Sequence, residues 1–469
     1  MNVATHVASL ITSLGSIVLL IGLGGCPGPR APSVPAARPL TLAIGREGGT
    51  LRGVAGDGAM TFAAITSVPP DPAGALAPGG SADPAASAPA STTVEARRGD
   101  AVAWKVTLAG SGGPIASTSG LLVATLTGNG SIGSRSPGKL SPRDLPVRGE
   151  PGAAVVALDA TTGAARWRTS LDASEWCVVA AIAAAPDGVI VGGSFAGSLR
   201  IRDHVVASGG RSDGFVAKLT ATGDAAWLVR VGGSGPDAVQ GVAVRGPRVA
   251  IAGTFAAGAD LLGQELPAFD DKSPYADAFV GALDTTGARV WSATFGGKLA
   301  ETVAGVAIDD AGRVVIAANA RDIVHIGGAD LAAQGLSDGL VAWWTKDGTA
   351  SHAVLLGGAD FDGLRAITAI GERIVVGGFY SGEMPLGDRA IAAGGGDDAF
   401  LAALDARGVV VDRWEVGGVG REEVTSLASV PGGFIAGIAY TAAARVAGVT
   451  LPAPKDPLGG SVVVVRPVR

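Results

Sequence analysis

Charged residues are scarce in this 469-residue chain, and cysteines are scarcer still. Lys, Arg, Asp and Glu make up 17% of the sequence, and the formal net charge of −6 leaves no basic excess to neutralise nucleic-acid phosphates. The composition therefore argues against a nucleic-acid partner. Two cysteines, Cys26 and Cys177, are too few for a disulfide framework. We expect Cys177 to be a small buried apolar residue.

Glycine is abundant, with 74 residues, and valine and alanine are frequent beside it. Long helix-forming residues are few, so this composition is typical of many short buried strands joined by tight turns. The length would ordinarily suggest two or three domains. A single repetitive ring can also use this many residues.

The N-terminus predicts export. Residues 8–25 form an apolar stretch that is too short and too glycine-rich for a membrane span but is typical of a signal peptide. Its end, Leu23-Gly24-Gly25-Cys26, resembles the lipobox of bacterial lipoproteins, which implies cleavage after residue 25 and acylation of Cys26. The stretch before it lacks the usual Lys or Arg. The alternative is an ordinary secretory signal with a chance cysteine.

The segment after the signal is rich in proline. Residues 26–38 cannot form a helix or a central strand, because proline removes backbone donors and restricts φ, so we interpret them as a tether. Acyl chains on Cys26 would anchor the protein without a spanning helix. Pro27 differs from the Asp that retains many lipoproteins at an inner membrane. We therefore predict a cell-envelope protein at the outer membrane if the cell has two membranes.

A repeat of about sixty residues dominates the rest of the chain. Apolar alternation, a glycine turn and a tryptophan recur at 156–167, 216–227 and 280–291, and each copy predicts a β-hairpin. The turn glycines are spaced 60, 64, 61 and 60 residues apart at Gly163, Gly223, Gly287, Gly348 and Gly408. His352 and Asp412 occupy the tryptophan position in the last two copies. We expect Trp167, Trp227 and Trp291 to pack between neighbouring repeats.

The repeat predicts a closed ring. A second hairpin follows each of these hairpins, and a Gly-Gly pair precedes it in every case except the copy near Leu171-Asp172, which has lost its glycines. Eroded copies near 48–65 and 112–126 bring the total to seven. Four strands per repeat, seven times, fill residues 39–469, which predicts an all-β, seven-bladed β-propeller of four-stranded antiparallel blades. Residues 39–45 and 461–469 match consecutive strands of one repeat. They are expected to complete one blade from both termini and so close the ring.

The segment 213–255 resembles the SBBP family of bacterial seven-bladed propeller repeats, and the resemblance extends over most of 150–465. It implies an exported propeller and supplies no active site.

The longest insertions fall between the second and third strands of their repeats. They lie at about 67–91 and 128–152, with shorter ones at 257–277 and 381–398. Because the strands are committed to packing, we expect these loops to carry any recognition. The candidate recognition residues are Asp270, Asp271, Tyr275, Trp343 and Trp344. The two tryptophans are adjacent on a strand, so one ring is expected to lie outside the core.

The motifs that resemble cofactor and metal sites lack the neighbouring residues that such sites need. The glycines at 128, 130 and 133 and the G-x-x-x-x-G-K at 133–139 precede prolines that forbid the helix a phosphate site needs. Single acidic residues and isolated histidines offer no ligand spacing, so we predict no metal, no cofactor and no catalytic residue. These residues are Asp360, Asp362, Asp397, Asp398, His204, His325 and His352.

Three functions remain open. The leading hypothesis is a non-catalytic binding or scaffold module with an unidentified protein or glycan partner and a membrane contact through its lipid. A propeller enzyme with a site in the central channel, either quinoprotein-like or a hydrolase, is the alternative from another class, since 157–167 also resembles the tryptophan repeat of quinoprotein dehydrogenases. That family often has adjacent cysteines, which this chain lacks. The third is an outer-membrane assembly lipoprotein.

Overall fold

The structure is a computed structural model of the 469-residue chain. It describes residues 41–469 except 48–49, 68–89, 100, 128–151, 270–274, 447–448, 455–459 and 468–469. Every regular element in these ranges is a β-strand, and no helix among them is long and apolar enough to cross a membrane. The predicted signal peptide, Cys26 and the tether lie outside the described residues, as do most of the two long insertions.

Thirty-eight strands are formed within the described residues. The first thirteen are β1 (Thr41–Glu47), β2 (Thr50–Gly56), β3 (Thr61–Ser67), β4 (Ser91–Arg98), β5 (Ala101–Ala109), β6 (Ser111–Thr118), β7 (Leu121–Thr127), β8 (Ala153–Asp159), β9 (Ala165–Ala173), β10 (Trp176–Ala185), β11 (Gly188–Ala196), β12 (Ser198–Ile201) and β13 (His204–Ala207). The next twelve are β14 (Asp213–Thr220), β15 (Ala225–Gly232), β16 (Ala238–Arg245), β17 (Arg248–Phe255), β18 (Asp260–Leu261), β19 (Gln264–Glu265), β20 (Asp277–Asp284), β21 (Arg289–Gly297), β22 (Thr302–Ile308), β23 (Val314–Ala320), β24 (Ile323–Ile326) and β25 (Ala329–Ala332). The last thirteen are β26 (Asp338–Trp344), β27 (Ala350–Leu356), β28 (Gly363–Ile370), β29 (Arg373–Tyr380), β30 (Glu383–Leu386), β31 (Arg389–Ala392), β32 (Asp398–Leu404), β33 (Val410–Gly418), β34 (Glu422–Val430), β35 (Gly433–Tyr440), β36 (Ala444–Val446), β37 (Val449–Leu451) and β38 (Gly460–Pro467).

Seven antiparallel four-stranded blades form a ring. From the inside outwards they are blade 1 (β2, β3, β4, β5), blade 2 (β6, β7, β8, β9), blade 3 (β10, β11, β14, β15), blade 4 (β16, β17, β20, β21), blade 5 (β22, β23, β26, β27), blade 6 (β28, β29, β32, β33) and blade 7 (β34, β35, β38, β1). Each inner strand packs against the inner strands of both neighbouring blades, and β2 contacts β34. The predicted seven-bladed β-propeller is confirmed.

Blade 7 is assembled from both ends of the described chain. Its third strand is β38, which pairs along its length with β35, and β1 pairs with the other side of β38 as the outermost strand. This is the closure that the sequence predicts. It places strands of distant sequence position in one sheet and leaves no gap between blades 1 and 6.

The blades have two distinct faces. Because the strands are antiparallel, the connections from second to third strand and those from one blade to the next emerge on one side, which we call the insertion face. The hairpins between first and second and between third and fourth strands emerge on the other side, which we call the hairpin face. Described parts of all seven blades follow this pattern.

The insertions contain short β-hairpins, whereas the sequence predicts loops at these places. In blades 3, 4, 5 and 7 each insertion forms a short hairpin that pairs with the outer strand of the preceding blade, as β12 does with β9 and β18 with β15. The blade 6 insertion forms the hairpin β30–β31, which contacts β27 of blade 5. These hairpins cover edges that would otherwise present unpaired backbone groups. The insertions thus join neighbouring blades as well as lining one face.

Tryptophans join consecutive blades on the hairpin face. Trp291, on the outer strand of blade 4, donates from Nε1 to the carbonyl of Lys346 at 3.0 Å, in the third-to-fourth-strand turn of blade 5. Its ring covers Gly348, whose φ of +88° suits glycine. Three other junctions repeat the hydrogen bond, from Trp104 to Ala160, Trp167 to Ala221 and Trp227 to Thr285. The predicted packing of tryptophans between repeats is confirmed.

The junction between blades 5 and 6 uses other residues. His352 takes the tryptophan position and stacks on Trp343, with ring centroids 4.4 Å apart. Arg313 donates to the carbonyl of Ala406 at 3.3 Å, and that carbonyl precedes Gly408 as the carbonyl of Lys346 precedes Gly348. A guanidinium therefore replaces the indole N–H as donor.

Candidate functional site

Exposed apolar side chains concentrate on the insertion face. Of twelve large apolar side chains that are exposed in the described ranges, nine lie in insertions or blade-to-blade connections. These nine are Val205, Leu262, Phe269, Tyr275, Leu299, Ile323, Leu336, Val419 and Val449. The other three, Val102, Val290 and Val409, lie in or beside third-to-fourth-strand turns on the hairpin face. The insertion face therefore offers the larger apolar surface for a partner.

The predicted recognition residues do not form one exposed site within the described structure. Tyr275 is exposed in the insertion of blade 4, and Asp270 and Asp271 lie outside the described residues. Trp343 and Trp344 are both fully buried on β26, which corrects the expectation that one ring reaches the outside. The reason is that β26 is a third strand, and both of its faces are covered by neighbouring blades: Trp344 packs towards blade 4 and Trp343 towards blade 6.

An aromatic stack lies where the insertions of blades 4 and 5 meet. The ring of Phe269 is parallel to the imidazole of His325, with centroids 4.1 Å apart and an interplanar angle of 10°. Nδ1 of His325 lies 2.6 Å from a carboxylate oxygen of Asp330 across the hairpin of β24 and β25. The carbonyl of Ile323, at the start of β24, packs against Gly297, the last residue of β21, which precedes the connection that carries Leu299. We name Phe269, Leu299, Ile323 and His325 the blade 4–5 patch.

Buried acidic pairs lie beneath the insertion face at four consecutive blade junctions. In each pair an Asp that begins a third strand interacts with an acidic residue 24 positions later, at the start of the next blade. The pairs are Asp213 with Asp237, Asp277 with Glu301, Asp338 with Asp362, and Asp398 with Glu422, and all eight residues are buried. A Cβ on the first glycine of each Gly-Gly pair, such as Gly296, would collide with the first Asp. This contact explains the first glycine of the Gly-Gly motif.

The first Asp of each pair also holds its own insertion. A carboxylate oxygen accepts a backbone N–H from Gly209, Phe269, Gln334 or Gly394, at 2.6 to 3.0 Å in the four junctions. The acidic pairs therefore connect the ring to the loops that form its insertion face.

The second member of each pair determines how the charge is compensated. Asp237 and Asp362 each accept two backbone N–H groups, including those of Ala256 and Ser381. Burial still raises the pKa of both carboxyls to about 6. Glu301 and Glu422 occupy the same position, and both are buried beside the first Asp of their pair.

The two glutamates make stability dependent on pH. Burial, and then the charge of Asp277, raise the pKa of Glu301 to about 8, and burial and Asp398 raise the pKa of Glu422. Folded molecules thus keep protons that unfolded chains, with ordinary glutamate pKa values near 4.5, have lost. The contribution of these protonated pairs is complete below about pH 4.5 and is lost as the pH rises towards about 8.

We predict that Glu422→Gln removes part of this pH dependence. The neutral amide needs no proton, so the variant should lose less stability than the wild type between pH 5 and pH 8.5, by up to about 4 kcal/mol at about 1.4 kcal/mol per pKa unit. Urea denaturation followed by circular dichroism at both pH values measures this difference. Glu372→Gln, at an exposed site, is the control. Equal pH dependence in Glu422→Gln and Glu372→Gln would contradict the assignment.

The ring axis contains a channel walled by all seven inner strands. Its cavity has a volume of about 320 Å³ and is lined by small apolar side chains together with Ser117, Thr368, Ser429 and Arg245. Arg245 donates from Nε to the carbonyl of Ile308 at 2.9 Å and forms an ion pair with Asp310. The inner strands are edge strands, so their unpaired backbone groups add polarity to the wall.

The isolated histidines and aspartates are separated across the described structure. His204 lies 3.1 Å from the carbonyl of Ala225, on blade 3, and Asp397 pairs with Arg421. Nowhere in the described ranges do three His, Cys, Asp or Glu side chains lie together as metal ligands. Cys177 is buried in the apolar core of blades 2 and 3, as predicted.

Comparison with known proteins identifies neither a family nor an activity for this chain. No family model matches the chain, and no curated protein matches it, so the SBBP repeat type stays a prediction. Among solved structures, the β-propeller domain of the Trilobed protease from Pyrococcus furiosus is 6% identical over 88% of this chain and 98% of that chain, with a TM-score of 0.43. A polysaccharide lyase, an ulvanlyase, is 11% identical over 86% and 93%, with a TM-score of 0.45. A europium-containing methanol dehydrogenase is 12% identical over 91% and 93%, with a TM-score of 0.38.

These similarities carry no argument about activity, because the identities are low and the TM-scores lie below 0.5. Enzymes and proteins without a named activity both occur among the similar structures. The class of the protein rests on its own sheets: it is a seven-bladed β-propeller.

Proposed function

We propose that this protein is a binding module of the bacterial cell envelope, which uses its insertion face to hold a protein or glycan partner. The carrying observation is the distribution of exposed apolar side chains, nine of twelve on that face among the described residues. Large apolar groups exposed together on one surface commonly mark a binding site. The hairpins that present them are fastened to the ring by backbone pairing and by the buried aspartates, so the surface is preorganised.

The insertion face can be tested against the hairpin face. In a Cys26→Ser background, which excludes any lipid contribution, the pair Phe269→Ser and Leu336→Ser should reduce retention on immobilised envelope proteins or glycans at least tenfold. Each tenfold loss corresponds to about 1.4 kcal/mol, which the loss of two apolar contacts supplies. The matched control is Val290→Ser with Val409→Ser, two exposed sites on the other face. Equal retention of both double variants, or no retention of the parent, would contradict the proposal.

We also propose that a lipid on Cys26 anchors the propeller to a membrane. The support is the lipobox-like sequence at the end of an apolar signal and the proline-rich segment that follows it. Cys26→Ser should move the protein from the membrane fraction to the soluble fraction, since the acyl chains supply the attachment. Fractionation followed by immunoblotting measures the shift, and Cys177→Ser is the control. Membrane retention of the Cys26→Ser protein would show that the anchor lies elsewhere.

A further inference from the structure

The outer face of the blade 5 insertion hairpin carries an aromatic stack with a carboxylate beside it. In the register of β24 and β25, Ile323 lies opposite Ala332 and His325 lies opposite Asp330. The alternate residues of β24 are buried, so these four side chains share the exposed face of the hairpin. Phe269 comes from the insertion of blade 4 and stacks on the imidazole of His325. Two insertions therefore build one exposed surface.

Contacts on both sides fix the stacked rings in place. The backbone N–H of Phe269 donates to the buried Asp277 at 2.6 Å, and the ring itself is 45% exposed. Nδ1 of His325 donates to Oδ1 of Asp330, since a carboxylate can only accept, and Nε2 of the neutral imidazole is then an acceptor. The side chain of Asp330 is 69% exposed, which leaves Oδ2 for a ligand. A ligand would meet rings that are already ordered.

The stack is a feature of this hairpin and is not required by the repeat. In three other insertion hairpins, the strand pair that corresponds to His325 and Asp330 is an arginine or a proline opposite a small or β-branched residue. These pairs are Arg200 with Val205, Pro385 with Ala390, and Arg445 with Thr450. Hairpins of this kind therefore form without an aromatic stack, and packing of the ring does not explain the one in blade 5.

The mixture of groups on this face restricts the ligand. Ile323 and His325 are two residues apart on one strand, about 7 Å, so an aliphatic group and a carboxylate-linked imidazole lie within reach of one small ring. A purely apolar partner would remove water from Asp330 without replacing its hydrogen bonds, which is costly. A strongly anionic partner would be repelled by the same carboxylate. A neutral group with an apolar face and hydrogen-bond donors at its edge fits.

We infer that the blade 4–5 patch binds a neutral, N-acetylated amino sugar of a glycan. The C–H face of the sugar ring packs on the exposed face of Phe269, whose π-system is negative and attracts C–H groups. Hydroxyl groups and the amide N–H donate to Asp330, and the acetamido methyl packs against Ile323. The inference rests on the proposed function and names the glycan as its partner.

Calorimetric titration of the Cys26→Ser protein with two tetrasaccharides tests the ligand class. One is built of N-acetylglucosamine and the other of glucose with identical linkages, so they differ only in the acetamido groups. The acetylated tetramer should bind at least tenfold more tightly, which corresponds to about 1.4 kcal/mol, because it adds a methyl group for Ile323 and an N–H for Asp330. No binding of the acetylated tetramer, or equal affinity for both sugars, would overturn the inference.

Variants of the aromatic ring locate the site. Phe269→Ser removes the surface on which the sugar packs and should weaken binding of the acetylated tetramer at least tenfold. Phe269→Tyr keeps the ring and should keep the affinity of the parent. Val419→Ser, which removes an exposed apolar side chain elsewhere on the insertion face, is the control, and thermal unfolding verifies that each variant is folded. Equal affinities of Phe269→Ser and Val419→Ser would show that the patch is not the sugar site.

Failure of this inference can be distinguished from failure of the proposed function. If the acetylated tetramer does not bind but envelope proteins are still retained through Phe269 and Leu336, the partner is a protein and the amino-sugar site is wrong. If the tetramer binds through Phe269 but no immobilised envelope material is retained, the amino-sugar site stands and the envelope role is wrong.

Discussion

Trp291→Ala is expected to lower the free energy of unfolding by about 3 to 5 kcal/mol, the range for removing a large buried aromatic side chain. Trp291 is 8% exposed and fills the space between blades 4 and 5. Its loss opens a cavity and removes one of the two donors to the carbonyl of Lys346, the other being the guanidinium of Arg248. Chemical denaturation followed by circular dichroism measures the change, because the fluorescence of the remaining tryptophans would report other junctions.

The contact between Trp291 and Gly348 can also be tested by changing the glycine. A Cβ on Gly348 would lie 2.7 Å from the indole of Trp291, so Gly348→Ala combines a collision with the strain of its positive φ. Gly312→Ala is the matched control: its φ of +79° is similar, and no atom lies within 4 Å of the added Cβ. The control should cost about 1 to 2 kcal/mol from strain alone, and Gly348→Ala distinctly more.

A double variant, Trp291→Ala with Gly348→Ala, tests whether the two residues stabilise the junction through a single contact. If Trp291 and Gly348 stabilise the junction through one contact, the loss in the double variant should be smaller than the sum of the single losses by about 1 kcal/mol or more. Two results together would contradict this: additive losses in the free energy of unfolding for Trp291→Ala and Gly348→Ala, and equal losses for Gly348→Ala and Gly312→Ala. They would show that the contact of the Trp291 ring with Gly348 contributes little to holding the blades together.

The ring could be predicted from sequence because the residues that specify each blade recur at regular intervals. Turn glycines at intervals of 60 to 64 residues, with a tryptophan four residues on in the best copies, locate the third and fourth strands of each blade. Residues 39–45 and 461–469 were assigned to one blade by the same pattern, and the pairing of β1 with β38 confirms the assignment. Each repeat needs its neighbours to bury its faces, so periodicity and closure follow from one physical requirement.

The insertion hairpins could not be predicted in the same way. Strands such as Ser198–Ile201 and Asp260–Leu261 have two to four residues, too few to show an alternating pattern. They form because an unpaired outer strand of the preceding blade offers backbone donors and acceptors. Pairing of this kind depends on the assembled ring and leaves little trace in the local sequence.

Alternation was misleading for Trp343 and Trp344. Neighbouring residues on a strand do point to opposite faces, but both faces of a third strand are covered in a propeller, so both rings are buried. The acidic pairs do leave a signal in the sequence. Their first members, Asp213, Asp277, Asp338 and Asp398, follow the glycine period, and each second member comes 24 residues later. A periodic acidic residue in a chain with few charges is a sign of a buried structural role.

Deletion of residues 461–469 is expected to abolish cooperative folding. It removes nearly all of β38, which pairs through eight residues with β35 and through six with β1, and so separates the outermost strand of blade 7 from the ring. At about 1 kcal/mol for each hydrogen bond, the loss approaches the whole stability of an ordinary domain, about 5 to 15 kcal/mol. It also exposes the edge of β35, which invites aggregation. Thermal unfolding and size-exclusion chromatography measure both effects.

Deletion of residues 468–469 alone is the matched control, because it leaves all of β38, Gly460–Pro467, in place. The shortened control should keep the melting temperature of the parent. If the protein lacking 461–469 also kept it, blades 1 and 6 would have to be held in place by inner-strand packing without the third strand of blade 7. β38 fastens β1 and β35 into one sheet, so we expect the closing blade to limit the stability of the whole ring.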